Sequence, residues 1–245
     1  MKKQQVLLEI RKLRKSFGGI LAVSDVEFQV KEGEILGLIG PNGAGKTTLF
    51  NLISGYYFAD SGAILFGGED IGGLKPHVIC RKGITRTFQM VRPFTRLSVF
   101  ENVKVGAFNK TRNFDETKQR ALKAMEFMNL LEKRDILTGQ LTLADLKRLE
   151  LARALATQPT VLLLDEVMAG LTPKETEDIV KLVKKIHDQG ITLLIIEHVM
   201  RAVMSLSDRV IVLNQGEKIA EGTPIEVSRN ERVIQSYLGE EWSVA

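Results

Sequence analysis

The stretch "GPNGAGKTT", Gly40 to Thr48, decides the fold. It matches G-x-x-x-x-G-K-S/T and stands after "ILGLI", Ile35 to Ile39, which reads as a strand. The periodic apolar residues Leu49, Phe50, Leu52 and Ile53 follow it and predict a helix running to Gly55. Strand, glycine loop and helix form the context in which this pattern carries chemistry. The glycines let backbone N–H groups close around phosphates, Lys46 can pair with the outer phosphates, and Thr47 can offer a hydroxyl to Mg²⁺. The residues expected to bind phosphates here are Gly40, Pro41, Asn42, Gly43, Ala44, Gly45, Lys46, Thr47 and Thr48. A chance glycine turn with an incidental lysine would need neither flanking element.

Two other apolar runs end in polar side chains. "VLLLDE" sets Asp165 and Glu166 directly after a fully apolar segment, as at the C-terminal end of a buried parallel strand, where open α/β sheets bind ligands. Two acids after hydrophobics more commonly mean a strand followed by a solvated loop, but the phosphate loop reverses that preference. Asp165 is then expected to hold Mg²⁺ through water and Glu166 to polarise the attacking water. His198 follows "LLIIE" at another expected strand end, where it is either a satisfied structural histidine or a contact to the γ-phosphate. Gln89 in "TRTFQ" means nothing by itself.

Bulk composition narrows the class. The 245 residues are 44% hydrophobic and 26% charged with six prolines, as in an ordinary globular chain able to bury a sizeable core. "VLLL" and "ITLLII" fall far short of the roughly 18 to 20 apolar residues that a spanning helix requires. "MKKQQVLLEIRK" lacks an h-region and a cleavage site, so it does not read as a signal peptide. Cys80 is the one cysteine, which excludes an intrachain disulfide and fits the cytoplasm. The formal net charge of +4 is mild, and the basic excess between Arg86 and Arg153 forms neither a long block nor an aromatic-interleaved surface. No nucleic-acid partner is expected.

Along the chain, "VLLEI" and "VEFQV" read as strands, and "DSGAILFGGED" as turn, strand, turn. From about Leu97 to Ala156 strand signals vanish, and Leu122, Met125 and the Met128 to Leu130 group share a helical face. Alternation then resumes with "VLLLDE", a helix from Pro173 to Asp188 capped by Thr172 and Glu175, "ITLLIIE", a short helix, and the hairpin "RVIVLNQGEKIAEG". The expectation is a single α/β domain over 1–245, with a core of 1–87 and 157–245 and a helical subdomain inserted at 88–156.

"LTLADLKRLELARAL", Leu141 to Leu155, opens with an S/T-x-x-D/E pattern. Thr142 and Asp145 are expected to form a capping box, each side chain reaching the other's backbone N–H, ahead of a basic amphipathic helix. Such a helix end can hold an anion, yet Asp145 puts a carboxylate where that anion would sit.

The order of these parts resembles the nucleotide-binding subunits of ABC transporters along nearly the whole chain. That resemblance implies a P-loop NTPase core with an antiparallel β subdomain and a helical subdomain insert. "GPNGAGKTT" is similar to the family's Walker A and "VLLLDE" to its Walker B with catalytic glutamate. Gln89 then stands as the Q-loop residue, contacting the metal and the reacting water, and His198 as the switch histidine. Phe17 in "KSFGG" occupies the place of an aromatic that stacks on adenine, unless it is a core phenylalanine. The signature L-S-G-G-Q reads Leu141, Thr142, Leu143, Ala144, Asp145, losing both glycines and the glutamine. In the family this helix end points across a head-to-tail dimer at the γ-phosphate of the other subunit. Asp145 either folds back onto Thr142, spending its charge locally, or points outward and repels phosphate.

"GITRTFQ", "DEVMAGLTPKE", "LLIIEHVM" and the ending "VIQSYLGEEW" resemble most the ATPases of branched-chain amino acid importers. Val167 replaces the family's proline after the Walker B glutamate, and Thr172 its usual D-loop aspartate. The resemblance implies ATP and Mg²⁺ as cofactors, with membrane permease subunits, a second ABC ATPase subunit and, indirectly, a substrate-binding protein as partners. It also implies a peripheral place on the inner face of the cell membrane. "MVRPFTRLSVFENV", Met90 to Val103, either lines a groove for the permease's coupling helix or packs as a loop. The degenerate signature motivates an alternative, a weakly hydrolysing, nucleotide-gated subunit paired with a different ABC ATPase. A soluble ATPase acting on DNA or ribosomes is a third reading, against which the single ATPase unit and the lack of a basic tail or long coiled-coil insert count.

Overall fold

The computed structural model of the chain describes residues 5–238. It divides into two compact units, Met1–Ile79 with Thr192–Ala245, and Cys80–Ile191. No helix among the described residues is long and apolar enough to cross a membrane.

The first unit opens with β1 (Val6–Phe17) and β2 (Ile20–Lys31), an antiparallel pair in register from Val6 against Lys31 to Phe17 against Ile20. Val26, Phe28 and Val30 are buried while Glu27, Gln29 and Lys31 are exposed, so this ribbon packs one face and wets the other. Both strands run longer than "VLLEI" and "VEFQV" suggest, because the polar residues of the wet face hide the ladder from an apolar count. Then come β3 (Ile35–Ile39), buried at all five positions, and α1 (Lys46–Ile53). β4 (Ser61–Phe66) adds to the other edge of β1, β5 (Glu69–Asp70) adds to β4, and α2 (Pro76–Lys82) follows.

In the second unit β6 (Ile84–Arg86) precedes the helices α3 (Val99–Ala107), α4 (Phe114–Phe127) and α5 (Leu143–Ala156). Side chains set the three starts: Ser98 with Glu101 in a capping box, Asn113 accepting from Asp115 and Glu116, and Thr142 accepting from Asp145. α3 packs on both α4 and α5. β7 (Val161–Asp165) pairs in parallel with β6, Ile84 beside Val161 and Arg86 beside Leu163. α6 (Pro173–Asp188) has the Thr172 and Glu175 capping box and the bounds its sequence predicts. The unit that holds α3 to α5 begins at Cys80 and ends at Ile191, so it also includes β6, β7 and α6.

Back in the first unit, β8 (Thr192–Ile196), α7 (Met200–Leu206), β9 (Arg209–Asn214) and β10 (Glu217–Gly222) lead to α8 (Pro224–Ser228), α9 (Glu231–Val233) and a closing helical turn at Ile234–Leu238. β8 and β9 flank β3 in parallel, and β10 returns antiparallel on β9. Ile39, Val203, Val210, Val212, Val227 and Val233 form one buried cluster here. The architecture is the expected α/β fold with an antiparallel β portion. Of "VIQSYLGEEW", the residues after Leu238 lie outside those described.

Candidate functional site

In the first unit, β3 and β8 end together, with Leu38 beside Ile196. The glycine loop leaves β3 at Gly40, and His198, exposed, stands two residues past Ile196. Two glycines permit the loop's path. Gly40 has φ 148° and Gly45 φ 101°, and a Cβ would sit 2.1 Å from the Leu213 carbonyl oxygen at the first and 2.4 Å from that of Ala22 at the second. Ala44 is buried and its carbonyl accepts from Gly216 N–H over 3.1 Å, whereas Asn42, Gly43 and Thr47 are exposed and Pro41 and Thr48 half-buried. Lys46 folds back so that Nζ donates to the carbonyls of Gly40 (2.7 Å) and Pro41 (2.9 Å). α1 carries no acidic residue in its first turn, so nothing there opposes an incoming anion.

Phe17 ends β1 with its ring 40% exposed, edge-on to Tyr57 at 5.1 Å between centroids, and with Lys15 Nζ 5.4 Å from its own centroid. A core role for Phe17 is thereby removed, and the residue stays partly open to solvent.

In the second unit, β7 delivers Asp165 and Glu166, both buried. The Asp165 N–H donates to Thr87 Oγ1 over 3.0 Å, and Thr87 N–H donates to the Leu163 carbonyl over 2.9 Å, which locks the strand end. Arg86 Nη2 donates to Asp165 Oδ2 over 2.8 Å. Asp165 Oδ1 is buried and, among the described residues, accepts no hydrogen bond. Burial pushes the Asp165 carboxyl above its ordinary range, against the opposing pull of Arg86. An orphaned anionic oxygen is a donor atom that a hard cation such as Mg²⁺ fits.

Glu166 takes φ 50°, a conformation uncommon for a side chain of this kind. Its Oε2 accepts from Gln89 Nε2 over 2.7 Å. Its carbonyl accepts from Lys147 Nζ over 3.0 Å, and the same ammonium reaches the Gln89 carbonyl over 3.2 Å. Glu150, one turn further along α5, accepts the Phe88 N–H over 2.6 Å through Oε1, while its Oε2 is buried without a partner among the described residues. Burial raises the Glu150 carboxyl to about 7, despite opposing pulls from the Phe88 N–H, Lys147 and Arg153.

Gln89, Asp165 and Glu166 are thus brought together within the second unit, and the glycine loop and His198 leave neighbouring strand ends in the first. Arg86, Lys147 and Glu150 escaped the sequence reading. The available clue was a lysine and a glutamate three apart in α5, on a helix expected to be amphipathic. That expectation is corrected: Asp145, Lys147, Leu149, Glu150, Leu151 and Ala152 are all buried, so α5 has buried positions around its circumference, including three charged ones.

Of the signature residues, Thr142 and Leu143 are exposed, Leu141 and Ala144 half-buried, and Asp145 buried. The expected capping box is half formed. Asp145 N–H donates to Thr142 Oγ1 over 3.2 Å, but the carboxylate accepts from the Thr142 hydroxyl over 2.8 Å and from Lys133 Nζ rather than from the Thr142 N–H. Lys133 wins because a charged donor gives a stronger bond than an amide. Burial works against the Asp145 charge, yet the bonds from Lys133 and Thr142 hold its carboxyl below the ordinary range. The carboxylate is folded back and neutralised.

After Gln89 the loop keeps Met90 67% exposed and Phe94 exposed, with the Arg153 guanidinium 5.2 Å from the Phe94 ring centroid. Asn102 pins the loop, accepting from Phe94 N–H over 2.9 Å and donating to the carbonyls of Phe94 and Ser98. Apolar side chains held outward on a fixed backbone suit a partner's surface.

A family profile described as ABC transporter matches residues 23–169, and one described as branched-chain amino acid ATP-binding cassette transporter matches 217–243. The chain is 43% identical over 251 residues to the high-affinity branched-chain amino acid transport ATP-binding protein BraF of Pseudomonas aeruginosa, covering 96% of this chain and 98% of that one. A solved nucleotide-free ATP-binding cassette from an ABC transporter superposes with TM-score 0.87 at 33% identity, over 96% of this chain and 100% of that one. A dimeric ATP-binding cassette in a post-hydrolysis state with ADP and Pi superposes with TM-score 0.80 at 26% identity, over 89% of this chain and 99% of that one.

Proposed function

Because the chain belongs to the ABC transporter family, we propose that it is the ATP-hydrolysing subunit of an importer of branched-chain or related amino acids. It works as one of two ABC ATPase subunits beneath membrane permease subunits, on the inner face of the cell membrane, with a substrate-binding protein as an indirect partner. The likeness to BraF, with matched lengths, supports the substrate class, and the dimeric cassette supports the pairing. The observation that carries the chemistry is Glu166: a buried carboxylate after β7, with its carbonyl tied to Lys147 and its Oε2 to Gln89.

The N–H groups of Gly40 to Thr48 and of the first turn of α1 bind the phosphates, and Lys46 exchanges its loop carbonyls for the outer phosphate oxygens. Phe17 stacks on the adenine. Thr47, Asp165 and Gln89 are the residues that would hold Mg²⁺, which when bound would neutralise charge on the phosphates. Glu166 orients a water and accepts its proton as the water oxygen bonds to the γ-phosphorus and the bond to the bridging oxygen breaks, leaving ADP. His198 contacts the γ-phosphate. The test is Glu166→Gln, expected to bind ATP like the unaltered chain while phosphate release falls about 100-fold or more. Unchanged release removes Glu166 from the reaction.

A further inference from the structure

Arg86 ends β6 beside β7 and lies against Asp165 with both side chains almost wholly enclosed, 6% and 2% exposed. Its position is over-determined. Nη2 donates to Asp165 Oδ2 at 2.8 Å, Nε donates to the Thr87 carbonyl at 3.2 Å, and the guanidinium carbon sits 4.6 Å from the centroid of the Phe88 ring. Only one carboxylate oxygen is used; Oδ1 stays buried and accepts no hydrogen bond from the described residues. A buried carboxylate needs a cation or a proton, and leaving it alone is strongly destabilising. Arg86 is therefore the cation that Asp165 uses in this structure.

A divalent cation held at Oδ1, directly or through its water, would share the carboxylate with a positive charge a few ångströms away, and in a buried setting that repulsion is screened only weakly. The guanidinium must give up Oδ2 or the metal must bind weakly. We infer that Arg86 is an internal stand-in for Mg²⁺, neutralising Asp165 when the metal is absent and setting the Mg²⁺ affinity by competing for the same carboxylate. It acts through Asp165 and not on the nucleotide, so it is a positioning residue. This rests on the reading of Asp165 as a metal ligand. A plain brace would have the opposite effect, since its loss would misalign Asp165 and raise the Mg²⁺ requirement.

The experiment uses the full chain carrying Glu166→Gln to suppress turnover, and follows binding of a fluorescent ATP analogue as Mg²⁺ is raised from zero. Arg86→Gln keeps a hydrogen bond to Asp165 without the charge. It is expected to lower the half-saturating Mg²⁺ concentration about tenfold, with nucleotide affinity in EDTA unchanged. Arg86→Lys, which keeps the charge, is expected to stay near the unaltered value. An unchanged or higher Mg²⁺ requirement in Arg86→Gln overturns the inference. Should that variant unfold early, its melting temperature with ATP and Mg²⁺ against ATP and EDTA decides: a larger Mg²⁺ increment than in the parent supports competition, and an equal or smaller one overturns it. Asp165→Asn separates the two ideas. If it leaves Mg²⁺ dependence intact, Asp165 is not the metal ligand; if it abolishes that dependence while Arg86→Gln changes nothing, only the stand-in role fails.

Discussion

Gln89 and Glu166, 77 residues apart in the chain, meet through a 2.7 Å hydrogen bond from the glutamine amide to the carboxylate. That bond fixes where the Glu166 carboxylate points, so on the proposed mechanism Gln89 positions it for a water. The exposed glutamine follows a strand end fixed by Thr87, while the buried glutamate is held by its own carbonyl. The same Lys147 ammonium that holds the Glu166 carbonyl also holds that of Gln89.

Removing the amide should therefore disturb turnover and spare binding. Gln89→Ala is expected to lower kcat at least about tenfold while changing ATP affinity less than threefold, because the loss falls on positioning of the general base. Steady-state phosphate release alongside nucleotide titration checks this, and an equal fall in affinity would place Gln89 in ground-state binding instead.

Lys147 is 2% exposed and spends its ammonium on two carbonyls, those of Gln89 and Glu166. Lys147→Met keeps the stem volume but leaves both carbonyls short of a charged donor. Bonds to charged groups are worth about 1.5 to 3 kcal/mol each, partly repaid by no longer burying a charge, so a net loss of roughly 2 kcal/mol is expected in urea unfolding. Turnover should fall with it, since the positive φ of Glu166 loses its restraint.

What the sequence made legible and what it hid divide along one physical line. Gly40 to Thr48 carries its chemistry within a few residues, so the loop, the strand before it and the helix after it could be read together. The bounds of α6 were equally local, written by Thr172, Pro173 and Glu175. Arg86, Lys147 and Glu150 mean little until their partners are known, and those lie 79, 58 and 62 residues away. α5 misled for the same reason: a charged residue looks solvent-facing in a periodic pattern, and only tertiary partners make its burial affordable. β6 spans just three residues, too short to show alternation.

Glu150 gives a pH test with a definite sign. Its carboxyl lies at about 7 in the fold against an ordinary 4.5, so between these values the unfolded chain has already lost the proton that the folded chain keeps. Stability from this group is fully present below about 4.5, declines as pH rises through that window, and levels off above about 7. Glu150→Gln keeps the acceptor for the Phe88 N–H and cannot ionise. It should flatten the decline and be more stable than the parent at pH 8, by up to roughly 3 kcal/mol. Urea unfolding at pH 5 and pH 8 reads the difference directly; parallel declines in both proteins would assign the slope to another group.

Lys133 decides whether the altered signature can face a phosphate at all. Asp145 is buried and would oppose an anion at the start of α5, yet Lys133 and the Thr142 hydroxyl turn its carboxylate inward and neutralise it. The helix end then keeps the exposed N-terminal turn at Thr142 and Leu143 for an anion, without a net negative charge beside it. In the Glu166→Gln background, Lys133→Met is expected to weaken ATP-driven dimerisation, measured as solution mass with Mg²⁺ and ATP across a protein dilution series. Adding Asp145→Asn to Lys133→Met should restore it, because the charge needing neutralisation is gone. A dimer unaffected by Lys133→Met would show that Asp145 does not face the phosphate, and a single variant rescued by neither salt nor Asp145→Asn would assign Lys133 a packing role.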